Sequence, residues 1–239
     1  MDIYAIKSMG ERIKGNPYVG RGIVIGKTED GTKSAVAYFI MGRSENSRNR
    51  VFTYKDNALF TEPFDASKVK DPSLIIYAAV REFENKLIVT NGDQTDTIVD
   101  FLKKGECFGC ALKTRAFEPD FPNFTPRISG ELTYKNGNFS YKMSILKSID
   151  KEGSDCARFR FDYPSKNGLG HFIHTYVTDG NPIPTFQGEP ERVSIPNDIE
   201  EFACNIWDNL NEENKISLFV RYTDLTTGKI EQKIINKNV

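Results

Sequence analysis

Tight-turn signals recur along this chain at intervals too short for full-length helices between most of them, and they commit most of it to antiparallel hairpins. Asp30-Gly31 separates two β-branched apolar runs, which predicts strands over 20–27 and 34–41. Glu84-Asn85 divides a second pair, 74–83 and 86–90, and Lys135-Asn136-Gly137-Asn138 divides a third, 127–134 and 139–147. Further strands are expected at 157–163 and 170–177, and a last hairpin at 216–222 and 230–235 turns around Thr227-Gly228. Helical spacing is confined to a few segments. Ile98, Phe101 and Leu102 make a stripe behind a cap at Thr95-Asp96-Thr97, and Gly105 parts that helix from a second one carrying Cys107 to Thr114. Ile199, Phe202, Ala203, Ile206, Trp207 and Leu210 form a stronger stripe on a helix expected to start at Asn197, with Glu200 placed for a capping box. Segment 117–126, FEPDFPNFTP, holds three prolines and reads as a stiff loop. The fold class that follows is α+β: stacked antiparallel sheets with amphipathic helices on their outer faces, in a single domain over 1–239.

Composition narrows the partners. Lys and Arg number 32 against 33 Asp and Glu, so no broad field recommends nucleic acid or an anionic membrane. The opening MDIYAIKSMGERIKG lacks the apolar stretch of a signal peptide, and no apolar run approaches the length of a membrane span, so a soluble cytoplasmic protein is expected. The four cysteines read as reduced thiols. Cys107 and Cys110 form a CxxC, but His171 and His174 are three apart on a strand and face opposite sides, which argues against one shared metal. The pair is expected to be small buried residues of a helix.

Gly26-Lys27-Thr28 looks like the end of a phosphate loop, yet Arg21 stands where its first glycine belongs and the stretch enters a hairpin turn. More informative is GRSENSRNR over 42–50, with three arginines among serines and asparagines. Such a segment is ordinarily a solvated loop; its functional reading is an anion site, because guanidinium forks suit phosphate oxygens. Tyr77 and Arg81 share a strand face, because their separation is even. Asn91 stands where a hairpin passes into a helix, and Glu118 is a carboxylate on a proline-stiffened loop, a fit place for a general acid or base.

In this order and spacing, NPYVGRG, GRSENSRNR, the Tyr77 strand, TNGDQTDTI, TPRISG and HTYVTDGNPIPTFQGEP resemble the archaeal-type IMP cyclohydrolase family over roughly 16–190, with the rest alike only as helix and hairpin. The resemblance implies a four-layer αββα sandwich related to the N-terminal nucleophile hydrolases. It implies dehydrating ring closure of 5-formamidoimidazole-4-carboxamide ribonucleotide to inosine monophosphate, without metal or cofactor, in a homo-oligomer. Carried to this chain, the catalytic group would be Tyr77, Glu118 and Arg43. Arg21, Ser44, Asn49, Arg50, Asn91 and Arg127 would bind the purine ribonucleotide. Two departures stand out: Asp2 follows Met1 where a nucleophile hydrolase needs Cys, Ser or Thr, and FPNF lengthens the Glu118 loop. The competing readings are a nucleotide-binding protein without catalysis and an amidohydrolase of related fold.

Overall fold

The computed structural model describes residues 2, 4–69 and 76–239. Its elements run α1 (Met9–Ile13), β1 (Arg21–Lys27), β2 (Lys33–Met41), α2 (Glu45–Arg48), β3 (Val51–Lys55), β4 (Ala58–Glu62), β5 (Tyr77–Phe83), β6 (Lys86–Thr90), α3 (Gln94–Lys103) and α4 (Phe108–Lys113). The chain continues through β7 (Arg127–Lys135), β8 (Asn138–Ser148), β9 (Cys156–Pro164), β10 (Leu169–His174), β11 (Glu191–Ser194), α5 (Ile199–Trp207), β12 (Lys215–Asp224) and β13 (Ile230–Asn236).

Two antiparallel sheets result. One has the order β11-β10-β1-β2-β12-β13, the other β3-β4-β5-β6-β7-β8-β9. Alternation along each strand divides the apolar residues between the two faces of its sheet. Ile23, Ile25, Val36, Tyr38, Ile40, Leu87, Val89 and Met143 fill the space between the sheets. Val24, Phe39 and Leu218 face the other way, against α1 and α5. Ile88 and Leu146 meet the apolar faces of α3 and α4. The architecture is therefore α+β with two antiparallel sheets and few helices, as a sandwich requires.

Most turns take the geometry their residues favour. Asn136 and Gly137 both have positive φ, 52° and 68°, and close β7 onto β8 in two residues. Several boundaries differ from expectation. The strand expected over 74–83 begins at Tyr77, positions 74 and 75 lying outside the described residues. The strand expected to reach 177 ends at His174, after which Tyr176 makes only an isolated bridge to Thr185. α3 starts earlier than Thr95, behind Asp93. α5 is capped by Asp198, which accepts from Glu201 N, instead of by Asn197 with Glu200. The polar segment 42–50 contains the single turn α2, capped reciprocally by Ser44 and Ser47. The hairpin β3–β4, turning at Asp56 and Asn57, had no counterpart in the sequence reading, and neither had α1.

A β-bulge overturns the shared face of Tyr77 and Arg81. β4 pairs Leu59 with Val80 but Phe60 with Ala78, leaving Ala79 as the extra residue. Tyr77 accordingly points between the sheets, whereas Arg81 points outward, bonding Asp96 on α3 and lying over the Phe60 ring.

Candidate active site

At one end of the inter-sheet space the apolar filling stops and charged groups begin. Arg21 opens β1 just before the inward-facing Ile23. Gly20 sets its direction: its φ is +77°, and a Cβ there would stand 2.1 Å from Thr175 Oγ1. Tyr38 is completely buried and stacks on Phe52 with ring centroids 5.3 Å apart. Its hydroxyl meets that of Tyr77 at 2.8 Å, joining the two sheets. Arg50 enters beside Phe52, and the stiff loop places Glu118 against this end, pinned where Glu118 N donates to Thr125 O.

Arg21, Arg50 and Glu118 are buried and lie within electrostatic reach of one another, and the two arginines also reach Tyr77 and Tyr38. Burial pushes the Glu118 carboxyl above its ordinary range, although Arg21, Arg127 and Arg50 pull it down. Burial also drives the Tyr38 phenol up, and Arg50 is lowered by burial and by Arg21. Burial would lower Arg21 as well, but the acidic groups around it outweigh that and raise it. Both guanidiniums stay charged at any ordinary pH. No described side chain closes to hydrogen-bond or ion-pair distance of Glu118, and the Nε atoms of Arg21 and Arg50 are buried donors with no acceptor. Two guanidiniums against one carboxylate leave net positive charge with donor capacity unspent, the setting in which an anionic oxygen is favoured.

The other predicted residues do not all meet there. Arg127 is buried and close enough to influence Glu118, but its Nη1 donates to Gln94 Oε1 at 2.8 Å and pairs with Asp93 at 2.8 Å. Asp93 also pairs with Arg115; burial would raise its carboxyl, and the two arginines bring it below the usual range. Asn91 lies behind this, its Nδ2 donating to Pro126 O and its Oδ1 accepting from Ile128 N and Gln94 Nε2. Asn49 clamps the backbone of Asp65 from both amide atoms, and Ser44 caps α2. Arg43 stays at the rim, bonded to Asp179 and to Gly180 O, 5.3 Å from the Tyr18 ring centroid. Tyr18 in turn stacks on Tyr176, and both adjoin Arg21, so Arg43 is one aromatic layer removed from the buried cluster.

Tyr38, Tyr18 and Tyr176 were not singled out from sequence. Tyr176 is held by Thr125 Oγ1 at 2.5 Å, and Thr125 also bonds Asp120, tying the Glu118 loop to the segment after β10. In sequence Tyr38 is one more apolar residue of a strand, so only the Tyr77 contact reveals it. The histidines do face opposite ways: His171 bonds Tyr141 OH at 2.6 Å between the sheets, and His174 stacks on Phe172 outside. Cys107 is exposed and Cys110 half-buried, contrary to the buried pair expected, because they begin α4 on its solvent side. Among the described residues no group of three His, Cys, Asp or Glu could hold a metal ion.

Fold and site together define an α+β protein of two stacked antiparallel sheets, with a buried cationic cluster beside a carboxyl and a tyrosine pair. A family described as IMP cyclohydrolase-like protein matches residues 18–229, well beyond the stretch over which the sequence motifs carried the likeness. An IMP cyclohydrolase of Methanocaldococcus jannaschii is 31% identical over 221 residues, 90% of this chain and 98% of that one. One from Methanococcus aeolicus is 31% identical over 163 residues, covering 66% and 74%. One from Methanopyrus kandleri is 37% identical over 115 residues, where the match spans 47% of this chain and only 57% of the relative. This chain belongs to the IMP cyclohydrolase family.

Proposed function

We propose that the protein is an enzyme that closes the second ring of inosine monophosphate by dehydrating 5-formamidoimidazole-4-carboxamide ribonucleotide. The single observation that carries the site assignment is the buried pair of guanidiniums with free Nε donors beside Glu118 and the Tyr38–Tyr77 hydroxyl contact. In the reaction the carboxamide nitrogen attacks the formyl carbon and gives up one proton, and the formyl oxygen becomes a hydroxyl. That hydroxyl leaves as water while the formamido nitrogen gives up its proton and the C=N bond forms, so the two hydrogens of the water balance the two N–H bonds broken. Both reacting groups belong to one molecule, so fixing them in a near-attack geometry supplies much of the rate.

Glu118 is the proton carrier. Its raised affinity for a proton keeps the acid form available at higher pH than a solvated glutamate would, which suits protonation of the departing hydroxyl. Once ionised it is stabilised by Arg21 and Arg50, and it can then take the amide proton of the next substrate. Tyr77, oriented by Tyr38, donates to the formyl oxygen as charge builds there. Arg21 and Arg50 receive anionic oxygens of the nucleotide, Arg43 and Ser44 serve from the rim, and Arg127, Asn49 and Asn91 shape the walls. No step calls for a cofactor. The same reading includes a four-layer αββα sandwich akin to the N-terminal nucleophile hydrolases, formed as one domain, a cytoplasmic location and a homo-oligomer.

Purified protein incubated with the formamido ribonucleotide should produce inosine monophosphate, followed by ultraviolet absorbance. Glu118→Gln should reduce kcat by at least about a hundredfold while nucleotide binding persists, the scale of a lost general acid. Nucleotide binding by the wild type without turnover would overturn the catalytic reading.

A further inference from the structure

Cys107 and Cys110 take no part in the chemistry assigned to the buried cluster, yet the fold brings their sulfurs together. Cys107 Sγ accepts from Cys110 N at 3.1 Å, and the two Sγ atoms lie 2.6 Å apart, against ~2.05 Å in a disulfide. Among the described residues no other cysteine sulfur contacts a second one. Cys107 is exposed and Cys110 half-buried, so the first is the accessible thiol and the second its close neighbour. Hydrogen bonds from Cys110, by its thiol first and its backbone N–H next, hold the Cys107 thiol below its ordinary range, and Lys142 adds to them. Cys156 is the contrast: burial pushes its thiol up, and its Sγ donates to Ala157 O.

The surroundings select a partner. Gly109, between the two cysteines, borders a cleft of about 180 Å³ lined also by Lys113, Arg158, Arg160, Phe159 and Leu146. A Cβ placed on Gly109 would stand 3.2 Å from Arg160 Nη1 and 3.9 Å from Cys107 Sγ, so a guanidinium and the accessible sulfur share that border. Arg160 is bonded to Asp162 through Nε, but Arg158 donates to the carbonyls of Cys156 and Arg115 and meets no carboxylate among the described residues. Three cationic side chains and an apolar floor beside an accessible thiol suit a small disulfide whose remaining charged groups are carboxylates.

We propose that Cys107 and Cys110 form a thiol–disulfide exchange site, at which an anionic low-molecular-weight disulfide oxidises the pair. The Cys107 thiolate attacks one sulfur of that disulfide, whose S–S bond breaks, and one half leaves as a thiolate. Cys110 Sγ, having given up its proton, then attacks Cys107 Sγ, closing the Cys107–Cys110 bond and releasing the second half. Two protons from the protein thiols go to the two released thiolates, and two electrons pass from the cysteine pair to the small disulfide. Ring closure and this exchange use separate residues, and neither depends on the other.

The full chain, incubated with glutathione disulfide, quenched in acid and alkylated, is read by intact mass. The wild type should lose two alkylatable thiols with no glutathione retained, and regain them with dithiothreitol. Cys110→Ser should retain one glutathione, mapped by peptide mass to Cys107. Cys107→Ser, in which serine keeps the helix cap, should react at least about tenfold more slowly than wild type. Cystamine, a cationic disulfide, should oxidise the wild type at least about tenfold more slowly than glutathione disulfide, each rate being taken relative to a model cysteine peptide. The double variant Lys113→Ala/Arg158→Ala should shrink that preference. Circular dichroism establishes that each variant is folded. Four alkylatable thiols after prolonged exposure, glutathione mapped to Cys156 or Cys204 in Cys110→Ser, or equal relative rates with the two disulfides would each overturn the proposal.

Discussion

Tyr38 and Tyr77 hold a hydrogen bond where two sheets meet, and among the described residues neither hydroxyl has another partner. Tyr38→Phe leaves the Tyr77 hydroxyl buried and unpaired, so a loss of about 1–3 kcal/mol in stability is expected by chemical denaturation. In the proposed reaction it should also lower kcat more than it changes KM, since it frees the orientation of Tyr77 without touching the anion-binding arginines. Asn91 offers a contrast. It satisfies Pro126 O, Ile128 N and Gln94 together, so Asn91→Ala should cost about 2 kcal/mol or more in the same experiment. At this scale the sequence exposed Arg21, Arg50, Tyr77 and Glu118 because they are polar groups in polar or proline-rich segments or in family motifs. Tyr38 escaped because a buried aromatic in a strand reads the same whether it packs or binds, whereas Tyr18 and Tyr176 lie outside the strands and are marked only by their stacking beside Arg21.

Hairpins were the most legible elements, because turn chemistry is local and a positive φ needs particular residues. The helix α5 was legible in its stripe, Phe202, Ala203 and Ile206 being fully buried, and misplaced by one residue at its start. Asp198→Ala should destabilise the fold by about 1 kcal/mol, whereas Asn197→Ala should remove no helix cap; equal losses would contradict the assigned cap. Gly20 is stricter. Its positive φ and the 2.1 Å approach to Thr175 Oγ1 mean that Gly20→Ala must strain the backbone and move Thr175, shifting Arg21 with it. Thermal melting should show a clear drop. The Ala79 bulge lay beyond sequence reasoning, since even separation on a regular strand is indistinguishable from even separation across an inserted residue. By contrast α1 carried a readable signal, Ser8 with Glu11 three residues on, in a helix too short for a periodic stripe.

For the molecule as a whole, burial of titrating groups sets the response to pH. Burial lowers both His171 and His174 to about 4 from an ordinary value of about 6.5. The folded chain therefore holds these rings neutral while the unfolded chain binds protons. Their contribution is complete above about pH 6.5 and is lost as pH falls toward 4. Glu118 acts in the opposite sense: the folded chain retains its proton longer, so its contribution declines as pH rises from the usual carboxylate range through its raised value. Denaturant midpoints measured from pH 7 to 4 should fall, and His174→Gln should flatten that fall; an unchanged slope would remove His174 as its source.

The alternation of strand residues and the turn dipeptides were sufficient for antiparallel hairpins, two amphipathic helical regions and the α+β class, because each depends on neighbours a few positions away. The family motifs added the chemistry to expect. Only the tertiary structure decided which face each strand turns inward, where a bulge reverses that parity, and which of the polar residues meet. Arg21, Arg50, Tyr77 and Glu118 come from four separate segments, and packing one sheet on another brings their charges into one low-dielectric space. That juxtaposition is a property of the packed sheets, since the groups are distant along the chain, and burial among them is what moves the proton affinities of Glu118 and Arg50.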